Sequence, residues 1–260
     1  MKIPLIQVDA FASDPFHGNP AAVCFLDAWL PDAILQAIAL ENNLSETAFT
    51  VPTDNGFELR WFTPKDEVPL CGHATMGAAK ALFDSERVVS DRITFQTRSS
   101  GQLMVHRDEQ LLWMDFPNLP ASPCEIPDQA QEALGTKILS ARTHNYLFLE
   151  LQNEEQLRSI VPRQDLIASI SDYAVCLTAP SDEFDFVSRL FAPLKGIPED
   201  PVTGSTHCSL APFWASKIGK TSLTAYQASP RGGVVRCELK NDRVLIGGSA
   251  VVVLRGTLTI

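Results

Sequence analysis

A short segment that occurs twice, half a chain apart, constrains the fold more than any other feature of this sequence. Glu67 to Gly72 and Glu199 to Gly204 share the pattern E-x-P-x-x-G, and the two copies lie 132 positions apart in a chain of 260 residues. A predicted helix follows each copy. Self-similarity at a fixed offset is typical of duplicated structural units. The sequence therefore predicts two similar domains.

Proline-rich sequence near the middle of the chain supplies the expected linker. Four prolines fall within eleven residues, at positions 117, 120, 123 and 127. Such stretches interrupt helices and strands and are typical of domain boundaries. We expect a first domain over residues 1–118 and a second over residues 119–260, with the option that the last strand returns to the first domain.

The apolar pattern predicts a mixed α and β protein that is richer in strands than in helices. Short apolar runs bounded by turn residues predict strands. They lie at 3–11, 21–26, 47–51, 57–62, 93–97, 111–116, 146–151, 173–178 and, in pieces, 234–254. Helical spacing is clearest in three segments, at 31–41, 73–83 and 205–218. Shorter helices are expected at 129–134, 154–160 and 164–170.

Composition excludes several classes of function. The net charge is −10 and the 21 Lys and Arg residues form no basic stripe, which argues against nucleic acid as a partner. The sequence has no apolar run long enough for a membrane span and no signal-peptide core. The six cysteines include no C-x-x-C pair. We expect a cytoplasmic protein with reduced cysteines.

Both copies of the repeat place a glycine where a loop turns into a helix. The free N–H groups of residues 72–74 and 204–206 therefore point out of a helix start, an arrangement that attracts anions. Two such ends that converge would hold a carboxylate and stabilise charge developing beside it. Ordinary helix capping explains the same residues, and spacing alone leaves both explanations open.

Groups able to transfer a proton surround these predicted helix starts. Cys71 and His73 belong to the first loop, and the second carries Asp200, Ser205, Thr206 and His207. Abstraction of a weakly acidic C–H needs a base beside the carbon and positive potential for the enolate.

Taken one at a time, each residue has a simpler explanation. Cys71 fits a small buried apolar residue, and the histidines fit helix caps or core residues. Glu46 fits either an exposed strand start or a base in a cleft, and Asn19 is equally ambiguous.

Taken together, the motifs resemble the PhzF-like family, named for phenazine biosynthesis. The motifs occur in order from residue 8 to residue 233. They are V-D-A-F with H-G-N-P-A-A-V, then S-E-T-A-F, R-W-F-T-P, C-G-H-A-T, E-D-P-V-T-G-S and R-G-G. The resemblance covers nearly the whole chain, and the joint occurrence makes it specific.

This resemblance implies an α+β fold of the diaminopimelate-epimerase-like type. Two pseudo-symmetric domains each wrap strands around a central helix, with the active site between them. It also implies a cofactor-free isomerase that moves a proton on an amino-acid-like carboxylate, without a metal, in a homodimer. Carried over by position, Glu46 is the acid–base residue, with Asp200, His73 and Cys71 as further catalytic candidates. Asn19, Gly72, Gly204, Ser205 and Thr206 are expected to bind substrate.

Three alternatives to a Glu46 isomerase stay open: a Cys71 hydrolase, a zinc site that includes Cys71, and a binding protein without activity. Epimerases of this fold type use one cysteine from each half, but Thr203 takes the position that matches Cys71, which disfavours a two-cysteine racemase. A Cys71 hydrolase would need another histidine as its base, because we expect the Cys71 and His73 side chains to diverge. Zinc held by Cys71, His73, His207 and Cys208 is a second alternative. A silent carboxylate-binding protein is the third.

Overall fold

The computed structural model describes all residues from Met1 to Ile260. Its α-helices are α1 Asp32–Asn42, α2 Gly72–Asp84, α3 Ala130–Leu134, α4 Glu154–Ser159, α5 Gln164–Ile170 and α6 His207–Ile218. Its strands are β1 Lys2–Ala10, β2 Asn19–Phe25, β3 Glu46–Thr53, β4 Gly56–Phe62, β5 Glu67–Val68, β6 Arg92–Thr97, β7 Gln102–Asp108, β8 Leu111–Pro117, β9 Ser122–Cys124, β10 Ser140–Thr143, β11 Leu147–Glu150, β12 Val175–Ala179, β13 Phe186–Ala192, β14 Ile197–Asp200, β15 Ser222–Gln227, β16 Gly233–Lys240, β17 Arg243–Gly248 and β18 Ala250–Thr259. The predicted mixed α and β class, dominated by strands, is confirmed.

The chain divides into two compact units. The first contains Met1–Asp115 together with Gly247–Ile260, and the second contains Phe116–Ile246. The last strand, β18, pairs antiparallel with β1 along its whole length and therefore lies in the first unit. Spatial compactness alone does not define independently folding domains, so the boundary expected after residue 118 stays a prediction.

In the first unit, strands surround the helix α2. Strand β1 pairs antiparallel with β2, β2 runs parallel to β3, and β3 pairs antiparallel with β4. Ten of the 13 residues of α2 are buried, and the helix packs against β1, β2 and β3. Close packing is possible because its residues are small: a Cβ added at Gly77 would lie 3.5 Å from the Cβ of Ala21. Helix α2 is therefore the central helix expected for this unit.

Strand β2 of the first unit is buried on both faces. Ala22 and Cys24 of β2 face a second apolar cluster with Leu35 and Ile38 of α1, whereas Ala21 lies toward α2. Burial on both faces explains why β2 reads as a continuous apolar run. The parallel pairing of β2 with β3, with Ala21 opposite Glu46, brings the first residues of both strands to one edge of the sheet.

The second unit has the same plan around the helix α6. Strand β12 pairs parallel with β11 and antiparallel with β13, and β13 runs parallel to β15. On one face of these strands, the Trp214 ring of α6 stacks on Phe186 of β13 with 5.6 Å between ring centroids. The opposite face forms an apolar core with α3, α4 and α5. Each unit thus wraps strands around one central helix.

The helix predictions are confirmed, with one correction at a helix start. The segment expected to be helical over 205–218 begins with a 3-10 turn at Gly204–Thr206, and the α-helix starts only at His207. The Thr203 carbonyl accepts hydrogen bonds from the Thr206 hydroxyl and the His207 ring, which tightens the first turn. No helix of the structure combines the length and apolar character needed to cross a membrane.

Candidate active site

Three chain segments of the first unit bring four predicted site residues together. Asn19 is the first residue of β2 and Glu46 the first residue of β3, so the parallel pairing puts them at the same sheet edge. Cys71 is the N-cap of α2, and His73 lies in its first turn. Because α2 packs against both strands, its start meets their starts. The cluster therefore follows from where these elements begin.

Short distances connect the four side chains. His73 Nε2 lies 3.0 Å from Glu46 Oε2, and His73 Nδ1 lies 3.2 Å from Asn19 Nδ2 and 3.5 Å from Cys71 Sγ. Asn19 is fully buried, and His73 and Cys71 are 7% and 8% exposed. The imidazole is thus the centre of the cluster, with the carboxylate on one nitrogen and the amide and thiol on the other.

The Cys71 and His73 side chains converge, so the expectation that they diverge is wrong. Cys71 precedes the helix and has an extended backbone, with φ −144° and ψ 110°. Residues two apart within a helix point in different directions, but an extended N-cap turns its side chain back over the first turn. The pair is therefore a real contact within one loop.

Burial and charge set the protonation of the cluster. Burial lowers the pKa of His73, but the neighbouring Cys71 and Glu46 outweigh it, and the pKa of His73 lies well above 6.5. Burial also raises the pKa of the Cys71 thiol to about 11, with the Glu46 carboxylate adding to the effect. Since the thiol is then protonated at neutral pH, Glu46 is the anion that pairs with His73.

The Glu46 carboxylate lies beside His73, and its Oε2 atom has no hydrogen bond within the protein. Its side chain is 13% exposed, and Oε2 is a buried atom that accepts no hydrogen bond. The 3.0 Å approach to His73 Nε2 is therefore an electrostatic contact without hydrogen-bond alignment. The His73 ring is therefore the polar group nearest to this oxygen.

The loop before Asn19 depends on a glycine at position 18. Gly18 has φ +64°, and a Cβ there would lie 2.1 Å from the Ala10 carbonyl oxygen. Both the left-handed backbone and the close approach require glycine. The H-G-N-P motif thus places Asn19 at the start of β2, beside His73.

The predicted residues of the second repeat form their own network in the second unit. The Thr203 hydroxyl bonds to the Asp200 carboxylate, and Ser205 Oγ lies 2.8 Å from the Tyr146 hydroxyl. Gln227, which the sequence did not single out, is fully buried. Its side-chain oxygen accepts from Thr203 N at 2.8 Å, and its amide donates to the Asp200 carbonyl at 2.8 Å. The loop of the second repeat is therefore fixed by side chains of neighbouring strands.

His207 is a structural residue rather than a proton carrier. It is fully buried, its ring Nδ1 donates to the Thr203 carbonyl at 3.0 Å, and burial lowers its pKa to about 4. The ring is neutral at physiological pH. Of the zinc ligands considered from sequence, Cys71 and His73 group with Glu46 instead. Gly72 begins α2, and Gly204 and Thr206 bound the 3-10 turn, where both are buried.

Each copy of the repeat is also held by a buried arginine. Arg60 begins the R-W-F-T-P motif, whereas Arg189 belongs to no motif recognised in the sequence. Arg60 of β4 donates to both Glu67 oxygens at 2.7 Å, and Arg189 of β13 donates to the two Glu199 oxygens at 2.7 and 3.0 Å. Each guanidinium also lies over the phenylalanine two residues further on. The available signal was the pattern R-x-F before each glutamate. We call these contacts the two Arg–Glu pairs.

Comparison with known proteins agrees with this architecture. The family model described as phenazine biosynthesis-like protein matches residues 8–256. An uncharacterized isomerase of Pseudomonas aeruginosa is 48% identical over 259 residues, which cover 99% of each chain. A PhzF-family crystal structure from Enterococcus faecalis has a TM-score of 0.98 and 44% identity, with full coverage of both chains.

A more distant structure shows the same fold. A hydroxyproline epimerase from Agrobacterium vitis has a TM-score of 0.61 at 9% identity, and the match covers 99% of this chain and 92% of that one. The epimerase-like fold expected from the motifs is therefore confirmed. The match over nearly the whole chain shows that the protein belongs to the phenazine biosynthesis-like, or PhzF, family and is an enzyme of the isomerase class.

Proposed function

We propose that the protein is a cofactor-independent isomerase that moves a proton next to the carboxylate of a small, amino-acid-like molecule, with Glu46 as the acid–base residue. The observation that carries the proposal is the Glu46 carboxylate, which lies 3.0 Å from the ring of a buried histidine and keeps part of its side chain exposed. A general base needs an available lone pair within reach of the substrate proton. The Glu46 side chain is 13% exposed, so its carboxylate is reachable from outside the cluster.

The proposed reaction has two proton transfers and no net redox change. Glu46 takes a proton from the carbon next to the carboxylate, and the C–H electron pair becomes the enolate. Glu46 then returns the proton to a carbon of the same molecule, which leaves an isomer. His73, with its raised pKa, supplies positive charge beside the forming anion.

Residues of both repeat copies, together with Asn19, are proposed to bind the substrate. Asp200 is assigned to acid–base work, and Asn19, Gly72, Gly204, Ser205 and Thr206 to orientation of the substrate carboxylate. The N–H groups of a helix start suit an anion. Cys71 is assigned a supporting role, since its thiol is protonated at neutral pH. A homodimer in the cytoplasm, without nucleic acid, a membrane or a cofactor, completes the proposal.

The test compares wild type with Glu46→Gln in deuterated water. Each protein is incubated with a panel of small amino and hydroxy carboxylates, cyclic dienes included, and deuterium uptake is followed by mass. Removal of the proton-transfer group is expected to slow exchange by about 10²- to 10⁴-fold. Glu41→Gln is the matched control, because Glu41 is an exposed residue of α1. Unchanged exchange in Glu46→Gln would contradict the assignment.

A Cys71 hydrolase is the second candidate, and one observation favours it. The 3.5 Å approach of Cys71 Sγ to His73 Nδ1, with Glu46 at the other ring nitrogen, has the order nucleophile, base and orienting acid. Against it, the thiol has a pKa of about 11, where a reactive cysteine has a lowered one. Cys71→Ser separates the two functions: the hydrolase loses all turnover, whereas the isomerase keeps its deuterium exchange.

A further inference from the structure

We propose that Tyr146 is a further substrate-binding residue, whose hydroxyl together with that of Ser205 keeps one hydrogen for the carboxylate of the substrate. The inference rests on the proposed function, in which Ser205 orients that carboxylate. It adds a residue that belongs to none of the sequence motifs. Tyr146 lies 59 positions before Ser205 and directly precedes β11, and both residues belong to the second unit.

One hydrogen bond joins the two side chains. The Tyr146 hydroxyl oxygen lies 2.8 Å from Ser205 Oγ, which is a typical distance between two hydroxyl groups. Either oxygen can be the donor, and neither hydroxyl has a second hydrogen bond within the protein. Ser205 lies in the 3-10 turn Gly204–Thr206, directly before α6. The phenol therefore contacts the loop of the second repeat.

The number of hydrogens shows what this pair can still bind. Two hydroxyl groups carry two hydrogens, and the bond between them uses one. If Tyr146 donates, the Ser205 hydrogen points away from the phenol, and if Ser205 donates, the Tyr146 hydrogen is left instead. In both cases one donor is available to a further acceptor. A carboxylate oxygen suits it, because hydrogen bonds to charged acceptors are stronger than those to neutral ones.

The phenol keeps its hydrogen at neutral pH. Burial raises the pKa of Tyr146 above its ordinary value of 10.0, and the neighbouring Tyr173 and Asp200 raise it further. Together they outweigh the Ser205 hydrogen bond, which lowers this pKa. Since no phenolate forms, the pair offers a donor and no negative charge to an anionic substrate.

Both partners are held by their surroundings. The Tyr146 ring packs edge to face against Phe148 and Tyr173, with 5.9 and 5.6 Å between ring centroids. On the other side, the Gln227 side chain accepts a hydrogen bond from Thr203 N at 2.8 Å, which fixes the residue before the turn. A donor on fixed supports loses little conformational freedom when it binds a ligand. The pair is therefore oriented before the substrate arrives.

The binding test titrates each carboxylate of the deuterium-exchange panel into the protein and measures Kd by calorimetry. Tyr146→Phe keeps the ring and removes the hydroxyl. We expect its Kd to rise about 3- to 10-fold, which corresponds to the loss of one hydrogen bond. Tyr173→Phe is the matched control, because it removes a hydroxyl from the neighbouring ring, which is half exposed and lies outside the Tyr146–Ser205 hydrogen bond.

A double mutant separates joint binding from a general structural effect. If the two hydroxyls act together, Tyr146→Phe changes Kd little once Ser205→Ala is present, so the two effects are not additive. Thermal unfolding checks that each variant is folded. Additive effects, an unchanged Kd in Tyr146→Phe or an equal rise in Tyr173→Phe overturn the inference. A wild-type protein that binds none of these carboxylates overturns it as well.

Deuterium exchange distinguishes this inference from the proposed function. Loss of a contact that is equal in the bound substrate and in the transition state raises KM and leaves kcat unchanged. We expect this result for Tyr146→Phe, whereas Glu46→Gln is expected to lose kcat. Glu46-dependent exchange with an unchanged KM in Tyr146→Phe overturns the inference alone. Carboxylate binding that depends on Tyr146, in a protein without any exchange, overturns the proposed function alone.

Discussion

At the scale of single residues, His73 shows how a buried group makes stability depend on pH. Its pKa in the folded protein is raised, so the folded state holds the proton more tightly than the unfolded chain does. The stabilisation from the Glu46 contact is therefore fully present below about pH 6.5 and disappears as the pH rises through the raised pKa. Only the protonated ring of His73 gives this stabilisation.

This predicts a specific difference between wild type and His73→Gln. The difference in free energy of unfolding is expected to be constant below about pH 6.5 and to shrink at higher pH. Urea denaturation of both proteins at a series of pH values measures it. A difference that stays level up to alkaline pH would show that His73 is neutral beside Glu46.

His207 is expected to act in the opposite direction. Its pKa falls from 6.5 to about 4 in the folded protein, so the unfolded chain binds the extra proton between those values. Stability is then lost as the pH drops from about 6.5 to about 4, by up to about 3 kcal/mol. His207→Asn keeps a side-chain donor and should flatten this part of the urea-denaturation profile. Equal slopes for both proteins would contradict the burial argument.

At the scale of structural elements, the two Arg–Glu pairs attach each repeat loop to a neighbouring strand. Arg189 also donates to the carbonyls of Leu157 and Ile160 at the end of α4, at 3.1 and 2.8 Å. Arg60 instead has a second carboxylate, Asp32, at 2.9 Å. Both loops are therefore held by an Arg–Glu pair, but the two arginines have different additional partners. Arg60 has a second carboxylate, and Arg189 has two backbone carbonyls.

We expect Glu199→Gln to destabilise the protein more than Glu67→Gln. Loss of Glu199 leaves the buried Arg189 without a carboxylate, which costs about 3 kcal/mol in comparable pairs. Loss of Glu67 leaves Arg60 with Asp32, so the cost is smaller. Urea denaturation of both variants measures the order, and a larger loss in Glu67→Gln would contradict it.

At the scale of the whole molecule, the two ends of the chain close the first unit. Strand β18 pairs with β1 from Lys2 opposite Thr259 to Ala10 opposite Ala250, and the Met1 amino group bonds to the Ile260 carbonyl. The first unit therefore combines segments that lie far apart in the sequence. Pairing between distant segments of a chain is typical of slow folding.

Deletion of residues 250–260 tests this closure. The deletion removes every β18 partner of β1 and uncovers one side of α2, so we expect loss of the cooperative thermal transition of the first unit. Deletion of Ile260 alone is the control, since it removes the contact with Met1 but leaves every pair between β1 and β18 in place. Circular dichroism during heating compares the two proteins. A cooperative transition at the wild-type temperature in the longer deletion would show that β18 is dispensable.

The repeat, the helices that follow it and the family are all predictable from the sequence alone. These features are local. Glycine at a helix start, helical spacing of apolar residues and short motifs each involve residues that lie close together in the sequence. Strand β13 is not apparent from the sequence, because Ser188 and Arg189 interrupt its apolar run. Both residues are nevertheless buried. Burial of an arginine depends on a partner elsewhere in the chain.

The assembly of the site depends on contacts between segments that are distant in the sequence. Sequence separates Glu46 from His73 by 27 positions, and they meet because the start of β3 lies against the start of α2. The Cys71 contact with His73 needed the extended backbone of an N-cap, which spacing does not reveal. The protonation of the cluster likewise follows from burial and proximity, which exist only after the strands have packed around the helix.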